Sequence, residues 1–231
     1  MDKTRFFQKF DLITSDYSLL EQAFWHNSAV HEENLDLLKG NERLEFLGDA
    51  VLEYAVSLWA YEKYPDYSEG QLTALRSLIV CEKTLSSWAL ENDLGALLVL
   101  GKGEEKDGGR QKPAILADSL EALIGAISLE FGLKKAQEFV CRYILDNLDD
   151  DILNKGYSQS WKNELQELVQ QKFSSNLPKY TSQKEGPDHA PFFKASVLVD
   201  GRVLDQGQGK SKKEAEQEAA KLAYKKLQDK I

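Results

Sequence analysis

An all-α domain over residues 1–155, followed by a small α+β domain of order α-β-β-β-α over residues 158–231, is the fold class this sequence predicts. Three observations predict it. Apolar residues recur at helical spacing through almost all of the first 148 residues, with hardly any strand-like alternation. The aspartates Asp149, Asp150 and Asp151, followed by Asn154-Lys155-Gly156 and Ser158-Gln159-Ser160, read as a short solvated linker. Beyond it, alternating apolar runs and turn dipeptides appear for the first time.

In the first domain, Leu19, Leu20, Ala23 and Phe24 mark one amphipathic stretch. A long helix runs from Asn41 to Tyr64 and stops before Pro65, where proline lacks the N–H a helix needs. Glu69 to Glu91, Lys112 to Phe131 and Leu133 to Leu148 give three more. In the second domain Trp161 to Phe173 reads as a helix that Pro178 closes off. Tyr180–Lys184, Phe192–Val199 and Arg202–Gly207 read as strands, the last two joined by Asp200-Gly201, a hairpin turn dipeptide. Ser211 to Leu227 reads as the closing helix, with Ser211 as N-cap and Glu214 completing a capping box.

The 231 residues are 42% hydrophobic and 29% charged, enough to build a core. No run approaches the roughly 18 apolar residues of a membrane span. The opening MDKTRFFQKFDLITSDYS has no secretory pattern, so a cytoplasmic protein is expected, with no membrane partner. Cys81 and Cys141 lack zinc-ligand spacing and read as buried thiols in a reduced compartment. The net charge of −9 divides unevenly: residues 158–231 carry 13 Lys+Arg against 10 Asp+Glu, and residues 1–157 carry 16 against 28. The acidic part can meet a polyanion only through a basic partner domain or bound cations.

Two acidic groups sit in apolar helices. In NERLEFLGDAVLE, Glu42, Glu45 and Asp49 fall within about 60° of helical arc, beside Leu44, Phe46, Leu47, Val51 and Leu52. In ILADSLEALIGAI, Asp118 and Glu121 are three apart and share a face. Such acids repel one another and resist losing water, so they need protons, basic partners or a metal ion. A single pair is more often a solvated face. Two such clusters, with no lysine run near either, favour a metal. Oxygen donors without His or Cys select magnesium, manganese or calcium over zinc. Lys210, Lys212 and Lys213 cluster at the start of the last helix, where free N–H groups also favour phosphate.

NERLEFLGDAVLE resembles the signature of the ribonuclease III family, LADSLEALIGAI its second acidic element, and EGQLTALRSLIV the segment between. WKNELQEL, KEGPDHAPFF and GQGKSKKEAEQEAA resemble a double-stranded-RNA-binding domain. The resemblance spans essentially the whole chain, a nuclease domain and then an RNA-binding domain. It implies an endoribonuclease that cleaves double-stranded RNA with magnesium-activated water, manganese being a possible substitute. It further implies 5′-phosphate and 3′-hydroxyl ends, two-nucleotide 3′ overhangs, and ribosomal and other precursor RNAs as substrates. Glu45, Asp49, Asp118 and Glu121 match the family's metal cluster, Asp49 and Glu121 its catalytic positions, and Glu42 and Glu69 its accessory acids. The family acts as a homodimer, and Phe46 matches an apolar knob inserted into the partner; by residue type alone Phe46 fits a core equally well. Asn163, Gln166 and Glu167 would face one minor groove and His189 the next, with Lys210, Lys212 and Lys213 on phosphates. Gln166 and Glu167 fit an ordinary exposed helix face as readily.

Two further expectations concern residues that could mislead. His26 reads as a packed or capping residue rather than a catalytic one, and Leu100 to Gly109 as a mobile connection rather than a phosphate loop, since it lacks the GK[ST] ending. Glu104, within it, could approach the acids. A non-cleaving RNA binder that uses the helical domain to dimerise, and a hydrolase of small phosphates, are the rival readings.

Overall fold

A computed structural model gives the fold and describes residues 3–148, 161–173, 177–185 and 192–228. The chain divides into two compact units, one of residues 1–65 and 76–149, the other of residues 66–75 and 150–231. The linker expected near 150–160 lies outside the described residues.

The first unit is helical: α1 (Lys3–Lys9), α2 (Ser18–Gln22), α3 (Asn27–Glu32), α4 (Glu42–Lys63), α5 (Glu69–Ile79, which the division between units crosses), α6 (Glu82–Glu91), α7 (Lys102–Lys106), α8 (Pro113–Phe131) and α9 (Leu133–Phe139). A π-turn over Val140–Ile144 and a 3-10 turn over Leu145–Asn147 continue α9. The centre is α8. Proline stands in its first turn, where its missing N–H costs nothing. Eleven residues between Ile115 and Ile127 are buried, so almost only Asp118 and Glu121 of that stretch reach solvent. Phe6, Phe7, Phe10, Trp88, Phe139 and Tyr143 form an aromatic cluster with ring centroids 4.8–6.0 Å apart where they touch.

Three sequence expectations change here. The helix expected over Glu69–Glu91 is two helices: Cys81 is extended (φ −73°, ψ 151°) and starts α6 as its N-cap residue. Cys81 and Cys141 are only partly buried, and the Cys81 thiol contacts the Leu78 carbonyl at 3.3 Å. The glycine-bearing stretch 100–109 is ordered around Arg110, whose guanidinium donates to the carbonyls of Gly95 and Leu98 at 2.9 and 2.8 Å and pairs with Glu105 at 2.7 Å.

The second unit carries α10 (Trp161–Phe173), β1 (Lys179–Glu185), β2 (Phe192–Val199), β3 (Arg202–Gly209) and α11 (Lys212–Gln228). The strands form an antiparallel sheet in the order β1-β2-β3. Asp200 and Gly201 both have positive φ (50° and 77°), the backbone a tight β2–β3 turn requires. Trp161, Leu165 and Val169 of α10 bury against Ala195, Val197 and Val199 of β2 and Ala215, Ala219, Ala220 and Ala223 of α11. The alanines let α11 lie close on the sheet. Ser211 Oγ accepts from Glu214 N at 3.2 Å, as a capping box requires. The Glu214 carboxylate accepts from Lys210 N at 2.7 Å, one residue earlier than that motif would place it.

Candidate active site

The acidic residues come together because two glycines let their helices touch. A Cβ added at Gly48 of α4 would lie 1.8 Å from the Glu121 carbonyl oxygen, and one at Gly125 of α8 would lie 2.2 Å from the Leu44 carbonyl oxygen. Backbone therefore meets backbone where α4 crosses α8. Glycine inside a helix costs roughly 0.5–1 kcal/mol relative to alanine, and this contact is what offsets it. Glu45 and Asp49 flank Gly48, while Glu121 lies one turn before Gly125 and Asp118 one turn earlier still. The crossing therefore groups four carboxyls from two separate stretches of sequence.

Their electrostatics carry the mark of that grouping. Glu121 is pushed up to about 8, first by burial and then by the charges of Asp49, Asp118, Glu45 and Glu53. Burial also raises Glu45, with Asp118, Glu42 and Asp49 adding to it. Asp118 is raised by burial and by Glu82, with His26 acting in the opposite direction. Among the described residues, no three or more His, Cys, Asp or Glu side chains close into a ready-made ligand cage. The acids form a loose, mutually repelling group, and among the described residues no lysine or arginine figures in the charges acting on Glu45, Asp118 or Glu121. As hard oxygen donors they suit a hard divalent cation.

Of the accessory acids, Glu42 opens α4 and is exposed within the field of Glu45. Glu69 opens α5 in the segment that groups with the second unit, and its carboxylate accepts from Thr73 Oγ1 at 3.0 Å. Glu104 is paired with Lys112. His26 caps α3, its Nδ1 accepting from Ser28 N at 3.2 Å. Glu53 and Glu82 are the acids that sequence reading missed. Glu53 was legible at helical spacing from Asp49; nothing in the sequence brings Glu82, at the start of α6, to the group. Phe46 is 83% exposed and is not core. It shares α4 with three more exposed apolar or aromatic side chains, Tyr54, Leu58 and Tyr61.

In the second unit, Asn163, Gln166 and Glu167 are exposed on α10, within one helical turn of each other. Lys210, Lys212 and Lys213 are exposed at the start of α11. His189 lies outside the described residues.

Residues 16–148 match the family model described as Ribonuclease-III-like, and residues 161–227 match the double-stranded RNA binding motif. Ribonuclease 3 of Pelotomaculum thermopropionicum is 48% identical over 211 residues, covering 91% of this chain and 87% of that protein. Ribonuclease 3 of Bacillus cereus is 45% identical, covering 98% and 91%. The nuclease domain of ribonuclease III from Campylobacter jejuni is similar in structure (TM-score 0.58, 37% identity), covering 64% of this chain and 96% of that one. A second structure of that domain (TM-score 0.59, 37% identity, covering 64% and 99%) is described as flexible in a region involved in dimer formation. A helical unit built on crossed acidic helices and a sheet-and-helix unit with a basic helix start thus both match one family's parts, and the chain belongs to the ribonuclease III family of double-stranded-RNA-binding endoribonucleases.

Proposed function

We propose that this chain, as a homodimer in the cytoplasm, hydrolyses phosphodiester bonds of double-stranded RNA at the α4–α8 acids with magnesium as cofactor, manganese substituting. Ribosomal and other precursor RNAs are the substrates, and the ends are 5′-phosphate and 3′-hydroxyl with two-nucleotide 3′ overhangs. Residues 1–155 form the nuclease domain and residues 158–231 the RNA-binding domain.

The observation that carries this reading is Glu121: partly buried among acids, it is pushed up to about 8 by burial and then by their charges. Glu45, Asp49, Asp118 and Glu121 would hold the ion. A divalent ion bound there supplies an activated water and neutralises charge at the phosphate. Asp49 and Glu121 would be the catalytic carboxylates, serving to orient the attacking water. The apolar residues around Asp118 and Glu121 keep those two carboxyls short of bulk solvent, which strengthens their hold on a cation. Glu42 and Glu69 are the accessory acids of the reaction. Phe46, exposed on α4, is the knob that enters the partner subunit, with Tyr54 and Tyr61 on the same helix. Lys210, Lys212 and Lys213 grip phosphates, while Asn163, Gln166, Glu167 and His189 face minor grooves.

The test is cleavage of a long RNA duplex with and without magnesium, with both ends of each product mapped at nucleotide resolution. Cuts staggered by two nucleotides that require the metal are expected. Duplex binding without cleavage in magnesium would overturn the proposal and leave a non-cleaving RNA binder.

A further inference from the structure

The second unit contains an ion pair that phosphate binding alone does not explain. Glu216 lies one helical turn after Lys212, in the basic start of α11, and its side chain is 13% exposed. One carboxylate oxygen accepts from Lys162 Nζ of α10 at 2.7 Å, the other from Ser182 Oγ of β1 at 2.8 Å. Lys212 Nζ stands 3.9 Å away. Lys162 Nζ also lies over the ring of Tyr180, 4.2 Å from its centroid, and Lys162 N donates to the Gln217 side chain at 3.2 Å. Three elements thus meet at one carboxylate. A negative charge beside a phosphate clamp costs affinity by itself, so its presence there needs a positive reason.

We propose that Glu216 is a positioning residue which, through Lys162 and Ser182, fixes the spacing between the α10 face and the α11 lysines and so makes the domain select A-form RNA over B-form DNA. This rests on the proposed RNA-binding surfaces. The node sits beside both of them: Lys162 precedes Asn163 by one residue, and Glu216 follows Lys212 by four. The core between α10 and α11 is apolar, Trp161, Leu165 and Val169 with small alanines, and apolar contact is non-directional. A hydrogen-bonded ion pair with little solvent exposure fixes distance and angle as apolar contact does not. Reading a duplex by shape requires patches held at one separation, the one that suits successive minor grooves and the phosphates between them. A loosened domain keeps its charges, which serve any duplex, and loses the fit that only RNA rewards. The Glu216 carboxyl is consistent with this. Burial acts to raise it, but hydrogen bonds from Lys162 and Ser182 and the charges of Lys162 and Lys212 outweigh that and hold it below the ordinary carboxylate range.

The test measures binding of the full-length protein, in EDTA to block cleavage, to a labelled RNA duplex, with a DNA duplex of the same sequence as competitor. Glu216→Gln and Lys162→Met shift the net charge in opposite directions, and methionine keeps an unbranched side chain of similar length. Both are expected to lower the RNA-to-DNA affinity ratio by roughly three- to tenfold, the scale of a partly exposed hydrogen-bonded ion pair, while thermal melts report the fold intact. Affinities for both duplexes moving together, up for Glu216→Gln and down for Lys162→Met, would reduce Glu216 to a bystander charge and overturn the proposal. So would a lower Tm with an unchanged ratio. Should Lys162→Met fail to fold, Ser182→Ala removes one hydrogen bond to Glu216 and carries the same prediction at about twofold. No RNA binding by the unmodified protein would instead sink the RNA-surface reading itself.

Discussion

Glu121 and Glu216 are both partly buried glutamates on helices, one in each unit, and the fold treats them in opposite ways. Glu216 has a lysine, a serine hydroxyl and a second lysine around its carboxylate, and it is held below the ordinary range. Glu121 is driven up to about 8, first by burial and then by Asp49, Asp118, Glu45 and Glu53 around it. An acid that serves structure is completed by the chain's own cations. An acid surrounded by other acids is a standing cost, and perturbed groups of this kind concentrate at functional sites.

The strongest break of this contrast is Glu121→Gln. Cleavage of an RNA duplex in magnesium should fall by more than about a hundredfold, since even residues that only support metal ligands cost 10–100-fold. Duplex binding in EDTA should stay within about twofold, because Glu121 lies outside the proposed RNA-gripping residues; loss of both would mean that the substitution unfolded the unit. Next comes Gly48→Ala. Its methyl would overlap the Glu121 carbonyl oxygen, so a cost of about 2–3 kcal/mol is expected, read as a fall in Tm together with lost cleavage. An alanine variant that melts and cleaves like the parent would show that the close approach of α4 and α8 does not set the site. Lys212→Ala should weaken binding to every duplex sequence alike and lower the salt slope by about one. A loss confined to some sequences would contradict a phosphate contact.

The smallest effects are in stability against pH, and the two glutamates should give opposite signs. The folded chain holds an extra proton on Glu121 between 4.5 and about 8, so that group costs stability increasingly as pH rises through the window. In EDTA, Glu121→Gln should therefore gain Tm over the parent from pH 4.5 to 8. The gain is on the order of 1 kcal/mol after allowance for solvent screening, a few degrees for a chain of this size. Glu216 lies below 4.5 when folded, so its contribution is present above pH 4.5 and is lost as pH falls through the lowered value. Glu216→Gln should be less stable than the parent near neutrality and equal to it in acid. Melts showing the same trend for both variants would erase the distinction between them.

Much of this was legible in the sequence where one local rule decides the outcome. Apolar periodicity from Lys112 to Phe131 marked α8, Pro65 marked the end of α4, and Asp200-Gly201 marked the β2–β3 turn. The missed features depend on tertiary partners. Apolar periodicity runs straight through Cys81, so the break between α5 and α6 left no local trace. Glycine content made 100–109 look loose, yet Arg110 ties it to carbonyls a dozen or more residues away. The acids were visible as two separate clusters, and helical spacing accounts for each cluster alone. What joins them is Gly48 meeting α8 and Gly125 meeting α4, which no single helix reveals, although a glycine inside each acidic apolar helix was the available hint.

The most direct measurement is the melting temperature of the RNA-free, metal-stripped protein at pH 8 as magnesium is added. A ligand that binds only the folded state must raise Tm with its concentration. The parent should rise into the millimolar range while Glu121→Gln stays nearly flat. Equal rises in both proteins, or none in the parent, would mean that the crossed acidic helices are not where the cation sits.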